Sequence, residues 1–453
     1  MASQCMSAEH TFAENTQKTF QITTEDDKNR TMKPSSLFFI WFAANLTIGD
    51  FAIGFIPISL GMPVDYAVVA LIIGNITGGM LLGMMSMTGA LTGKPQMALS
   101  LGPFGQLGSR VLAVLQWGNT LGWLTVNLVL ASFALHVIVP GVSFLIPIFI
   151  VTAIVFALAY AGHNWIRRFE VAMSVVLGVM FAVISIRYFT TFSSTYSYHP
   201  SGLSPLIAFG ITLASSFSYI MAWGPYASDY SRFTRKADRP RRSFGFTFAG
   251  GAIASFWIEI IGMAVAISAH AYISNPATAL ARYMGAYAAV GMISLFLGGI
   301  AANAINLFSN ATSLNTAITR LTRNRALIIG VIVSLALGII GYRNFYGFYE
   351  TFLFILDYWI TPWLGILIAH YFITGRNRST GLASYSGISA YVLAILISVP
   401  FMSPGAVFEG PLAYYLGSVD ISYYISFFAS MILYITFNNY FRVNHARGAK
   451  PLG

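Results

Sequence analysis

Residues 41–54 read Trp41-Phe42-Ala43-Ala44-Asn45-Leu46-Thr47-Ile48-Gly49-Asp50-Phe51-Ala52-Ile53-Gly54, with Pro57 just beyond. The stretch is apolar enough to enter a bilayer, yet Asn45, Thr47, Gly49 and Asp50 fall where the middle of a membrane helix should be. A carboxylate at that depth is costly unless it faces a cavity or a partner, so Asp50 is a site candidate. The segment reads as a broken helix, because irregular backbone survives inside a membrane only where it lines a cavity or packs within protein. The pattern returns where Ser215-Ser216-Phe217-Ser218-Tyr219 leads into Trp223-Gly224-Pro225. There proline removes a helix donor and glycine relaxes the backbone. Two interrupted helices five spans apart are what an inverted repeat of five plus five would show, with the ligand near the midplane. The plainer alternative is that Gly and Pro are simply common in membrane helices, and no residue-level identity links the two halves.

The rest of the chain fits a bilayer. Of 453 residues, 56% are hydrophobic and 9% charged, whereas soluble domains carry about 25% charged residues. An ordinary soluble domain is excluded. Twelve apolar runs are predicted to span, near 36–60, 66–90, 111–138, 142–162, 169–190, 205–227, 244–270, 286–318, 326–344, 351–374, 388–404 and 420–440. With the N-terminus in the cytoplasm, the tails and even-numbered loops hold 22 of the 25 basic residues, leaving Arg187, Arg282 and Arg343 outside. That asymmetry fixes orientation, with both termini cytoplasmic. The cluster Arg232, Arg235, Lys236, Arg239, Arg241 and Arg242 follows span six on that side. The net charge of +10 is scattered through short loops and forms no nucleic-acid stripe. Residues 1–35 read as a disordered cytoplasmic tail, 36–440 as the membrane domain and 441–453 as a cytoplasmic C-terminal tail. The single cysteine, Cys5, excludes an intramolecular disulfide framework and thiolate metal clusters.

Further polar residues lie inside the spans. Trp123 and Asn127, four apart in span three, share a helix face. An indole beside a carboxamide can stack on a planar ring and bond its edge, or can equally pack and bond against a neighbouring helix. Asn303, Asn306 and Asn310 form one polar stripe on span eight. Glu259 in span seven and Asp357 in span ten are each a candidate proton relay or a structural hydrogen-bond partner. His370, near the cytoplasmic end of span ten, is expected to be solvated at the interface. No metal-ligand spacing, P-loop, nucleophile elbow or dinucleotide fingerprint is present, which leaves an enzyme without positive support.

Taken in order, Trp41-Phe42-Ala43-Ala44-Asn45, Gly122-Trp123 with Asn127, Trp223 with Ala227-Ser228-Asp229-Tyr230-Ser231-Arg232-Phe233, and the span-eight asparagines resemble the nucleobase:cation symporter-1 family, within it the purine-cytosine permease group. The resemblance runs from about residue 36 to 440. It implies an all-α polytopic membrane protein of the leucine-transporter type: twelve transmembrane helices, two inverted five-helix repeats (about 36–190 and 205–374), two further helices, and breaks in helices 1 and 6. It also implies a plasma-membrane importer of a nucleobase, coupled to a cation, with no other cofactor, no nucleic acid and no obligate protein partner.

By the same resemblance Trp123 is the ring-stacking residue and Asn127 its neighbour. Trp223 closes the other face of the ring, and Asn303 or Asn306 supplies an amide. Asn45 belongs to the same set. A serine of fungal relatives corresponds to Asp50, a departure that would let a carboxylate pair with an aminopyrimidine or carry the coupled proton. Sodium-coupled relatives place span-eight hydroxyls where this chain has Ala301 and Ala302, which favours a proton over sodium. Asp50 and Glu259 are the expected ion-coupling residues. The alternatives are another planar heterocycle (allantoin, hydantoin, uracil, thiamine or pyridoxine) or, from a different class, a passive channel or binder.

Overall fold

The computed structural model describes residues 24–191, 204–268, 276–342, 345–375, 382–404 and 408–448. Within them the protein is helical throughout, with one isolated bridge between Met32 and Thr234. The main helices are α1 (Ser36–Asn45), α2 (Ile48–Ile53), α3 (Val64–Thr92), α4 (Leu101–Ile138), α5 (Leu145–Ala161), α6 (His163–Thr191) and α7 (Pro205–Met221). They continue as α8 (Ala227–Ser231), α9 (Pro240–Ser268), α10 (Ala288–Ala317), α11 (Arg323–Gly341), α12 (Phe345–Ile368), α13 (Tyr385–Ser398) and α14 (Ser422–Gly448). Short helices at Phe55–Ser59, Gln96–Leu99, Pro276–Met284 and Pro411–Tyr415 join them.

Among the described residues, seven helical segments are long and apolar enough to cross a bilayer, and the bent pair Ser36–Asn45 plus Ile48–Ser59 passes the same test as one unit. Leu145–Ala161 and Tyr385–Phe401 are apolar but shorter. The outer faces are apolar as well: Val175, Val179 and Ile186 of α6 are 60–62% exposed. Side chains of this kind in a row are stable only against lipid, and the chain is an integral membrane protein.

The two predicted breaks differ in kind. Between α1 and α2 the helix bends by 56°. Thr47 there is extended (φ −123°, ψ 163°), and its Oγ1 accepts from the Asp50 backbone N–H at 3.4 Å, capping α2. Between α7 and α8 the interruption is a single 3-10 turn, Gly224–Tyr226, and Pro205–Ser231 still passes as one span. Proline at the start of that turn needs no N–H partner, so the chain tightens without unwinding.

One close helix contact lies where α2 meets α9. A Cβ on Gly54 would collide with the Glu259 carbonyl, and one on Gly262 with the Phe51 carbonyl. Glycine at both positions lets the two backbones touch.

The N-terminal segment departs from the expected tail. From residue 24 onward it is laid against the C-terminal ends of α3 and α8. Glu25 N donates to the Gly93 carbonyl (2.8 Å), Met32 N to Phe233 (3.0 Å), and Arg235 N back to the Met32 carbonyl (3.0 Å). Arg30 is buried and donates to the carbonyls of Thr234 (3.0 Å) and Ala90 (2.5 Å). Carbonyls left over at helix ends need donors, and a guanidinium supplies two at once. The remainder of the expected tail, residues 1–23, and the last residues, 449–453, lie outside the described residues, and α14 runs past the expected end of the domain to Gly448. His370 also differs from expectation: it is 2% exposed, with Nδ1 2.8 Å from the Tyr434 hydroxyl, because α14 covers this part of α12 and the turn after it.

Candidate functional site

A small pocket, a cavity of about 10 Å³, is lined by Trp123 of α4, Tyr219 of α7, and Ala222, Trp223 and Tyr226 at the second break. Its walls are aromatic rings set edge to face. Trp123 and Tyr219 are 5.8 Å apart at 86°, Trp223 and Tyr226 5.1 Å apart at 65°. Trp41 of α1 backs Trp223 at 5.7 Å. Flat π faces with few polar atoms suit a planar ring, since stacking tolerates any heteroaromatic.

Each wall is held from behind. The Trp223 indole N–H donates to Asn45 Oδ1 (3.0 Å), and Asn45 Nδ2 donates to the Trp41 carbonyl (2.7 Å). Asn45 thus has both ends of its amide engaged and positions the indole. The Tyr219 hydroxyl lies 2.7 Å from Thr47 Oγ1 at the first break. The Tyr226 hydroxyl is buried and has no hydrogen-bond partner among the described residues. Tyr219 and Tyr226 were not singled out by sequence reasoning. Both lie in interrupted, polar stretches, but an aromatic residue in a membrane helix is usually packing.

Of the predicted site residues, the structure brings Trp123 and Trp223 together in the cavity wall, with Asn45 behind them. Asn127 is buried one turn from Trp123 and is not among the residues lining the cavity. Asn303 Nδ2 donates to the Leu124 carbonyl (2.9 Å), tying α10 to α4, and Asn306 Nδ2 donates to Asn303 Oδ1 (3.1 Å). Asn310, further along the stripe, donates to Thr120 Oγ1 (2.7 Å) and to the Trp117 carbonyl (3.1 Å).

Asp50 and Glu259 form a second group outside the cavity wall. Asp50 is fully buried next to Ser255 and Glu259, and its oxygens have no assigned hydrogen bond among the described residues. Glu259 Oε2 accepts from Asn75 Nδ2 and, at 3.1 Å, from Ser216 Oγ. Asp357 is elsewhere, accepting from Ser218 Oγ and so joining α12 to α7. Among the described residues no group of three His, Cys, Asp or Glu side chains is placed to hold a metal.

A bundle of membrane helices around a small aromatic pocket beside the second helix break fits a small-molecule permease. The sequence profile of the permeases for cytosine/purines, uracil, thiamine and allantoin matches residues 24–431, and the chain belongs to that family. It is 26% identical over 429 residues to YxlA of Bacillus subtilis (strain 168), a protein named for the purine-cytosine permeases, covering 90% of this chain and 93% of that one. It is also 26% identical over 366 residues to the purine-cytosine permease fcyB of Emericella nidulans, covering 75% and 70% of the two chains. The fold is that of Mhp1, a nucleobase-cation-symport-1 family transporter solved in a closed conformation with bromovinylhydantoin bound. The TM-score is 0.75 at 21% identity, over 91% of this chain and 93% of that one. A Na+-coupled sialic acid symporter shares the fold at a TM-score of 0.67 and 14% identity, over 93% of each chain. Members of the family are permeases and not enzymes. The nucleobase:cation symporter-1 resemblance read from the residues is therefore correct.

Proposed function

We propose that this permease is a secondary active importer that carries a planar nucleobase, cytosine or a purine, across the plasma membrane by symport with a cation, and that the cation is a proton. The observation that carries the reading is the aromatic cavity at the helix breaks, walled by Trp123 and Trp223. The two indoles sandwich the base, and the Tyr219 and Tyr226 hydroxyls, with Asn127, Asn303 and Asn306, read its polar edge. Asn306 Oδ1, buried without a hydrogen-bond partner among the described residues, supports a role for the span-eight amides. Relatives named purine-cytosine permeases support the substrate class.

Twelve spans complete the proposed architecture, as inverted repeats over about 36–190 and 205–374 plus two further helices, with both termini cytoplasmic. One bundle rocks against the rest around the fixed site, exposing it to each side in turn.

The choice of proton rests on the first break. Sodium at such a break is held by freed carbonyls and oxygen-bearing side chains. Here the Leu46 carbonyl meets α10 at Gly298, so closely that a Cβ there would collide, and the next turn offers Ala301 and Ala302. Those two alanines supply no side-chain oxygen, whereas two buried carboxyls, Asp50 of α2 and Glu259 of α9, are available and are the carriers.

Uptake of labelled cytosine, adenine and uracil into proteoliposomes tests this, with pH and sodium gradients imposed separately and allantoin, hydantoin, thiamine and pyridoxine as competitors. Proton-driven accumulation of cytosine or adenine is expected. Accumulation driven by sodium alone overturns the cation, uptake of another heterocycle alone overturns the substrate, and flux that only equilibrates points to a channel.

A further inference from the structure

Five fully buried polar residues from four helices converge where α2 packs on α9: Asp50 of α2, Asn75 of α3, Ser216 of α7, and Ser255 and Glu259 of α9. Glu259 is clamped on one oxygen only. Oε2 takes the Asn75 amide and the Ser216 hydroxyl, and Asn75 also donates to Ser216 Oγ (2.8 Å), so the clamp is itself cross-braced. Oε1 has no hydrogen-bond partner among the described residues, and Asp50 is the other carboxyl next to the Glu259 side chain. The groups facing the pair are Ser255, Ser216 and Asn75, with no arginine, lysine or histidine among them. The glycine contacts at Gly54 and Gly262 bring the α2 and α9 backbones together next to the pair, and both carboxyls are fully buried. Two carboxylates so placed would repel with neither a cation nor solvent to offset it, whereas one proton between them turns the repulsion into a hydrogen bond.

We infer that Asp50 and Glu259 together form a single proton-binding site, separate from the ring cavity, in which one proton is shared between Asp50 and Glu259 Oε1 while Asn75 and Ser216 hold Oε2. The inference rests on the proton-symport reading and adds to it a stoichiometry and a set of positioning residues. A short connection joins this site to the cavity. The Asp50 backbone N–H donates to Thr47 Oγ1 (3.4 Å), and Thr47 Oγ1 lies 2.7 Å from the hydroxyl of Tyr219, a cavity wall. Protonation draws α2 onto α9 and sets Thr47, and with it Tyr219, for the ring. Loss of the proton loosens the same contact, so release of the proton and release of the base favour one another.

Two measurements test the site. The first needs no transport: infrared difference spectra of the wild-type protein in nanodiscs, against Asp50→Asn, Glu259→Gln and the double variant, follow the C=O stretch of a protonated carboxyl. A band that moves in deuterium oxide and is lost in the double variant is expected, and a spectrum unchanged in the double variant overturns the shared proton. The second is base accumulation at zero membrane potential. One coupled proton sets about tenfold accumulation per pH unit, and two set about hundredfold. Tenfold in the wild type is expected, with Glu259→Gln keeping base exchange while its gradient-driven accumulation falls to unity. Hundredfold accumulation, or an undiminished gradient effect in both single variants, overturns the proposal. If the wild type accumulates no base while the infrared band behaves as expected, the transport reading fails and the proton site stands. Asp50→Asn serves as the second variant should Glu259→Gln not reach the membrane.

Discussion

The Trp223 indole N–H donates to Asn45 Oδ1 over 3.0 Å, so the ring that walls the cavity is held by the last residue of α1. The two helix breaks are thereby tied at one level, and the shape of the cavity depends on a residue that does not line it. Asn45→Ala would leave the indole N–H buried and unpaired. Such a loss costs about 1–3 kcal/mol, roughly a 5- to 100-fold rise in KM for the labelled base. Asn45→Asp keeps an acceptor for the indole but loses the donor to the Trp41 carbonyl and buries a charge, so it is expected to recover little. An Asn45→Ala protein with unchanged KM would mean the indole is held by packing alone.

Trp123 meets Tyr219 edge to face at 5.8 Å and lines the cavity. Stacking a base on an aromatic side chain is worth about 1–3 kcal/mol, so Trp123→Ala is expected to weaken base binding by roughly 5- to 100-fold. Trp123→Phe retains a π face and should recover part of it. Equilibrium binding of labelled cytosine or adenine to purified protein reads both, and equal affinities for the Ala and Phe variants would exclude stacking as the source.

Much of this fold was legible because lipid imposes a one-dimensional rule: a span must be apolar for about 20 residues, and every departure from that, as at Asn45 to Asp50, needs a reason. Partnerships were not legible. Asp50 and Glu259 stood out separately as buried acids, but nothing in the sequence says that residues so far apart meet, or that Asn75 and Ser216 serve Glu259. The span-eight amides show the opposite limit. Asn303, Asn306 and Asn310 form the predicted stripe, yet helix packing engages the amide nitrogens of Asn303 and Asn310, because a carbonyl of α4 satisfies an amide as well as a ligand does. Tyr219 and Tyr226 were passed over for want of any local signal separating a wall from a filler. The tail was read as disordered because it is polar, and polarity says nothing of Arg30 finding two carbonyls.

Those two carbonyls make Arg30 the anchor of the N-terminal segment. Arg30→Ala removes donors from the Thr234 and Ala90 carbonyls in a buried setting, and a loss of about 1.5–3 kcal/mol is expected from bonds to a charged donor. Lys236 and Asp27 are also paired, at 2.9 Å, but both side chains are largely exposed, and exposed pairs contribute little. Thermal melts in detergent should therefore fall clearly for Arg30→Ala and stay put for Lys236→Ala. The reverse order would show that the segment is held by surface charge.

The contact between α2 and α9 sets the last expectation. Gly262 faces the Phe51 carbonyl and Gly54 the Glu259 carbonyl, each without space for a methyl group. Overpacking of this kind costs about 1–3 kcal/mol, and here it can be relieved only by moving one backbone away from the other. That movement separates Asp50 from Glu259 and opens the contact to water. Gly262→Ala is therefore expected to lower the melting temperature and also to weaken proton-driven accumulation more than base exchange. A purely structural glycine would lower both transport modes together with the amount of folded protein. Normalising each rate to folded protein by size-exclusion recovery separates the two: equal losses in accumulation and exchange would remove the α2–α9 contact from the coupling and leave it a packing feature only.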